Sequence, residues 1–121
     1  MDSQNKVAVI VFADSVSHAD MGRMSNAMQI IKECADAGDQ VVWLFDGAGV
    51  TWPSKLAQAD HPLHKLYDSV KQHVTGACAF CSRAFQVESQ NQQAGIPLLD
   101  EFRGHPSIRS LVSQGYEIIT L

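Results

Sequence analysis

The chain has no apolar stretch long enough for a leader or an anchor. The run from Val7 to Ala13 is only seven residues. A membrane span needs about 20 apolar residues, and a leader needs a basic region and a small-residue cleavage site as well. A finished cytoplasmic protein with no membrane partner is therefore expected. Positive charge is also scarce, with nine Lys and Arg against 13 Asp and Glu and a net charge of −4. That balance offers no footprint for a phosphate backbone, so no nucleic acid is expected either. Cysteines number three, an odd count. A chain of 121 residues with 45% hydrophobic content can bury an ordinary core, so a disulfide framework is not expected and at least one thiol stays free. Dinucleotide fingerprint, phosphate loop, internal repeat and low-complexity tract are all missing. One domain over residues 1–121 is expected, with no cofactor.

The residues that are present alternate between two patterns. Val7-Ala8-Val9-Ile10-Val11-Phe12 and Gln40-Val41-Val42-Trp43-Leu44-Phe45 are continuous apolar runs, as in strands buried on both faces of a parallel sheet. Between them, Met21, Met24, Ala27, Met28, Ile31 and Ala35 recur at spacings of three and four, which predicts a helix of about five turns over 19–37. Gly38 follows at its C-terminal capping position, and Cys34 beside the stripe is expected to pack. A helical turn within Ser54–Ala59 is expected to act as a flap, with Trp52 at an interface or in the core. A second helix is expected from His61-Pro62 to about Gln72, and a third strand over Val74–Ala79. Next come a helix from Cys81 to about Asn91, an edge strand or irregular segment over Ile96–Phe102 because of Pro97, a helix opened by His105-Pro106, and a final strand over Tyr116–Leu121. The order predicts an α/β domain, a mostly parallel five-stranded sheet flanked by helices.

In such a sheet, ligands sit at the carboxyl edge. Asp14, Ser15 and His18, in the loop after the first strand, are therefore candidate ligand-binding residues. So are Gly47 and Gly49 after the second strand, where the backbone can take positive φ or approach a neighbour closely. The richest stretch is Val74-Thr75-Gly76-Ala77-Cys78-Ala79-Phe80-Cys81-Ser82-Arg83, which places two thiols at a strand-to-helix junction. Half of a tetrahedral zinc site has this spacing, but no second Cys-x-x-Cys or His-x-x-x-His completes it. The five histidines are scattered, and no metal is assigned. A dithiol/disulfide oxidoreductase remains open, with Cys78 the exposed thiolate favoured by the helix start and Cys81 resolving it. Also open are a persulfide carrier, which needs one activated cysteine, a non-catalytic small-ligand module, and plain packing of two thiols. Arg83 either stabilises a thiolate or an anionic substrate or sits solvated.

Taken in order, the buried strand, polar loop and Ala/Met-rich helix ending Ala37-Gly38, then Leu44-Phe45-Asp46-Gly47-Ala48-Gly49-Val50, then the cysteine strand end and the closing Leu111-Val112-Ser113-Gln114-Gly115-Tyr116 resemble the DsrE/DsrF-like sulfur-relay family, which includes TusD-type sulfurtransferase subunits. The resemblance spans nearly the whole chain. It implies a single-domain α/β sandwich assembled as a trimer or hexamer, exchanging sulfur with donor and acceptor proteins. It also implies that Cys78 carries the persulfide and that Cys81 matches a second cysteine present in some members. After the cysteine helix, where the family often has Arg-Gly-Val, this chain has Phe85-Gln86-Val87.

Overall fold

The apolar run at the start of the chain becomes the middle of a sheet. In the computed structural model, which describes residues 4–121, β1 (Lys6–Val11) lies between β2 (Gln40–Phe45) and β5 (Glu117–Thr120), with β3 (Val74–Cys78) and β4 (Leu98–Leu99) beyond β2. The strand order is β4-β3-β2-β1-β5 and every pair is parallel. Residues 7–11 are all buried, as continuous apolarity requires of a strand covered on both faces. The expected α/β sheet is therefore observed, with β4 at its edge where Pro97 placed it. Residues 1–3, part of the polar start that argued against a leader, lie outside the described residues. Among those described, no helix is long and apolar enough to cross a membrane.

Helix α1 (His18–Asp36) buries Met24, Ala27, Met28 and Ile31 against the sheet. It begins at a capping box in which the Ser17 hydroxyl accepts from the Asp20 backbone N–H and the Asp20 carboxylate accepts from the Ser17 N–H, satisfying two amides that the first turn leaves free. Val9, Trp43, Phe45 and Tyr67 share this core, and Trp43 packs at a 43° tilt against Phe45 with ring centroids 5.2 Å apart. On the opposite face, Val42, Leu44, Thr75 and Leu99 line a groove of about 400 Å³ with Ser110 and Leu111 of α6 (Ile108–Ser113). Cys34 is half-buried against the core, as expected of a packing residue.

Several boundaries differ from those expected, each for a local reason. Trp52 is fully buried, and its indole N–H donates to the Ala13 carbonyl at 2.9 Å. It thus pins α2 (Trp52–Leu56) to the end of β1 and is no interface residue. Helix α3 (His64–Val70) starts two residues beyond Pro62, after a turn in which the Leu63 N–H donates to His61 Nδ1. His105 and Pro106 likewise precede α6, which is capped by the Ser107 hydroxyl. The single helix expected over 81–91 is two, α4 (Ala79–Ala84) and α5 (Glu88–Gln93). The break falls at Gln86, whose φ is +60°, a left-handed backbone that disfavours any residue with a Cβ by roughly 1–2 kcal/mol. Gln86→Gly is therefore expected to stabilise the protein, by up to about 1 kcal/mol after the added flexibility of the unfolded chain is subtracted. A urea unfolding curve shifted to lower midpoint would contradict that assignment of strain.

Candidate thiol site

Pairing between β2 and β3 decides where the cysteines go. Trp43 lies opposite Val74, but Leu44 lies opposite Gly76, so Thr75 is an extra residue in β3. Its hydroxyl accepts the Trp43 backbone N–H at 3.1 Å, replacing the ladder bond that the bulge removes. Because side chains alternate along a strand, one inserted residue reverses the face of everything after it. The bulge therefore sets the direction in which Cys78 leaves the sheet.

Asp46, the residue after β2, is buried, and its carboxylate accepts the Gly47 backbone N–H at 2.8 Å. Its backbone N–H donates to the Val11 carbonyl at 3.0 Å, and the short 3₁₀ turn Gly47–Thr51 follows. That turn crosses the end of β1 so closely that a Cβ on Gly49 would stand 2.0 Å from the Val11 oxygen. Gly49 is thus present for backbone approach. Buried Asn91 of α5 donates to the Val50 carbonyl and to the Ser82 hydroxyl, both at 3.1 Å, tying this turn to α4.

Cys78 caps α4, its sulfur accepting the Cys81 backbone N–H at 3.4 Å. The same sulfur lies 3.2 Å from His105 Nδ1, and the Cys81 thiol donates to Asp46 Oδ1 at 3.6 Å. Asp46, Cys78, Cys81 and His105 each present one ligand-type atom, and these four atoms all lie within 4.8 Å of one another. Two donors that the sequence lacked as a motif thus arrive from different loops.

A tight turn covers the sulfur. Phe102 and His105 exchange two backbone hydrogen bonds of 2.8 Å, with positive φ at Arg103 (+53°) and Gly104 (+86°) between them. That is the φ pattern of a two-residue hairpin turn, for which glycine suits the second position. The Gly104 carbonyl accepts the Phe80 N–H at 2.8 Å and stands 3.8 Å from the Cys78 sulfur, while Phe80 stacks on the His105 ring with centroids 4.8 Å apart. Cys78 is consequently 0% exposed, which corrects the expectation of an exposed thiolate. Burial pushes its thiol up to about 12, against the lowering effect of the Cys81 backbone N–H and with the Cys81 thiol and the Asp46 carboxylate raising it further. At neutral pH, under the closed turn, Cys78 is a thiol.

The other sequence candidates lie around this cluster, outside it. Asp14 is exposed and accepts from the Ser15 N–H, and the Ser15 hydroxyl bonds Thr51 Oγ1 at 2.7 Å. These contacts brace the first loop against the 3₁₀ turn. His18 is exposed at the start of α1, and Gly47 follows Asp46 at φ +52°. Arg83 is solvated, its Nε paired with Glu88 at 2.6 Å. Asp46 and His105 were missed by the sequence reading. Asp46 carried one usable signal, as the first residue past a buried strand at the ligand-bearing edge. His105 carried none, since its partner is 27 residues away.

Fold and site together define an open α/β protein with a covered cysteine–histidine pair at its carboxyl edge. Over 117 residues the chain is 27% identical to the uncharacterized protein MJ0733 of Methanocaldococcus jannaschii, an alignment covering 96% of this chain and 95% of that protein. No family model matches the chain, and no solved structure matches it.

If the turn is what shields Cys78, straining it will expose the thiol. In Gly104→Val, a β-branched residue at positive φ is expected to weaken closure by roughly 1–2 kcal/mol. Alkylation of Cys78, followed by peptide mapping, is then expected to be on the order of tenfold faster, with Cys81 little changed. An unaltered Cys78 rate in a variant that still melts cooperatively would rule out the turn as the cover.

Proposed function

We propose that this chain is a cytoplasmic sulfur-relay protein of the DsrE/DsrF-like kind, working as a homo-oligomer that takes sulfane sulfur from one protein and passes it to another through a persulfide on Cys78. The observation that carries this reading is the 3.2 Å contact between Cys78 Sγ and His105 Nδ1. A thiol beside an imidazole is the arrangement that generates a nucleophilic sulfur on demand. The Cys81 N–H at 3.4 Å supports the anion once it forms.

The transfer balances without an external oxidant. His105 takes the Cys78 proton, and the thiolate attacks the terminal sulfur of a donor persulfide. One S–S bond forms as the donor's breaks, and the donor leaves as a thiolate that receives the proton from His105. An acceptor thiolate then attacks the outer sulfur on Cys78, the S–S bond to Cys78 breaks, and the Cys78 thiolate is regenerated. Cys81 stands one turn away and can discharge the site by attacking the inner sulfur, forming a Cys78–Cys81 disulfide and releasing hydrosulfide. Each transfer requires the Arg103–Gly104 tip of the turn to move off the sulfur, which its Gly104 carbonyl approaches to 3.8 Å, while His105 at the base of the turn stays beside Cys78. Phe80 and Phe102, 54% and 63% exposed beside that turn, give a partner an apolar place to hold it open.

Incubating the reduced protein with a small-molecule persulfide is expected to add one sulfur mass to the wild type and to Cys81→Ser, and none to Cys78→Ser. An adduct retained in Cys78→Ser and lost in Cys81→Ser would move the chemistry to the other thiol and overturn the assignment.

A further inference from the structure

We propose that Asp46, Cys78, Cys81 and His105 also form a tetrahedral site for a thiophilic divalent cation, with Zn²⁺ as its representative. The donor set is four side chains of the kinds zinc takes: two thiolates, an imidazole and a carboxylate. Zinc bonds of about 2.3 Å to sulfur and 2.0–2.2 Å to nitrogen or oxygen place tetrahedral neighbours roughly 3.3–3.8 Å apart. Here Cys78 Sγ and His105 Nδ1 are 3.2 Å apart, Cys81 Sγ and Asp46 Oδ1 are 3.6 Å apart, and no pair exceeds 4.8 Å. Closing onto an ion thus requires contraction of at most about 1.5 Å along the longest edge.

The surroundings suit a cation in two further ways. With both sulfurs ionised and the imidazole neutral, the ligands carry three negative charges, so a divalent ion leaves a single residual charge at a largely buried position. The Cys81 backbone N–H already donates to the Cys78 sulfur, the kind of outer hydrogen bond that steadies thiolate ligands. The donors come from three separate places in the chain, the residue after β2 (Asp46), the β3–α4 junction (Cys78 and Cys81) and the segment before α6 (His105), so a bound ion would cross-link all three. Binding exchanges two S–H bonds for two metal–sulfur bonds, releases two protons to solvent and changes no oxidation state. The sulfurs cannot hold the ion and a persulfide together. This proposal therefore goes beyond the sulfur-relay reading and does not rest on it.

The full-length chain, reduced and freed of metal with a chelator, would be titrated anaerobically with Co²⁺ and then Zn²⁺, with no sulfur donor present. The expected result is a thiolate-to-cobalt absorption that saturates at one ion per chain and is erased by Zn²⁺. That absorption is expected to be lost in Cys78→Ser and Cys81→Ser and unchanged in Cys34→Ser. Affinity is expected to fall at least tenfold in Asp46→Asn and in His105→Gln. Zn²⁺ should also raise the melting temperature of the wild type and not that of Cys81→Ser, which decides the matter should Cys78→Ser fail to fold. Failure to saturate at one ion, dependence on Cys34, or wild-type affinity in both Asp46→Asn and His105→Gln would overturn the site. Sulfur loading, measured separately with chelator present, reports on the relay reading alone.

Discussion

Hydrogen bonding between parallel β2 and β3 holds Phe45 beside Ala77. The next residues, Asp46 just past β2 and Cys78 at the last position of β3, therefore stand at neighbouring points on one edge. Parallel strands direct their carboxyl ends to one edge of the sheet, but which side chains meet there depends on register. The extra residue at Thr75 sets that register, and Gly49 lets the turn after Asp46 fold back over β1. Cys81 follows from the first turn of α4, and His105 is added by the chain returning from edge strand β4. The cluster is thus a product of sheet geometry, with only the Cys78–Cys81 spacing set locally.

Burial and reactivity pull in opposite directions at Cys78. A sulfur with no water around it is hard to ionise, and the thiol is accordingly pushed up to about 12. The same dry setting strengthens the contacts that act on it, from His105 Nδ1 and the Cys81 N–H. The closed turn keeps the thiol protonated and protected from oxidants, and displacing only its Arg103–Gly104 tip would expose a sulfur still paired with His105. The covering element is a two-residue turn closed on itself by two backbone hydrogen bonds and tied to α4 through the Phe80 N–H to Gly104 carbonyl bond, a smaller unit to displace than a packed helix. Reading Cys78 as protected at rest and active on opening reconciles its burial with the chemistry proposed for it.

Much of the scaffold was legible in the amino-acid order. The bounds of β2 match those expected from its apolar run, and α1 falls within a residue of its 3,4-spaced stripe, because long periodic segments bury one consistent face. The α4–α5 break was not legible, since Gln86 takes a left-handed φ without the glycine or proline that announces such a turn. Cys78 was correctly placed at a strand end, yet its exposure was misjudged because the cover comes from residues 102–105. His105 and Asp46 were invisible as partners for the same reason. Their contacts to the cysteines span 27 and 35 residues, and no local pattern encodes a separation of that length.

If His105 activates Cys78, its loss will slow sulfur loading on that cysteine. Persulfide formation on Cys78 would be timed by mass spectrometry in the wild type, in His105→Gln, and in His73→Gln as a control distant in sequence. A positioned base contributes on the order of 100-fold or more to a proton-coupled step. His105→Gln is therefore expected to load at least tenfold more slowly while His73→Gln keeps the wild-type rate. Equal loading rates for His105→Gln and the wild type would contradict it.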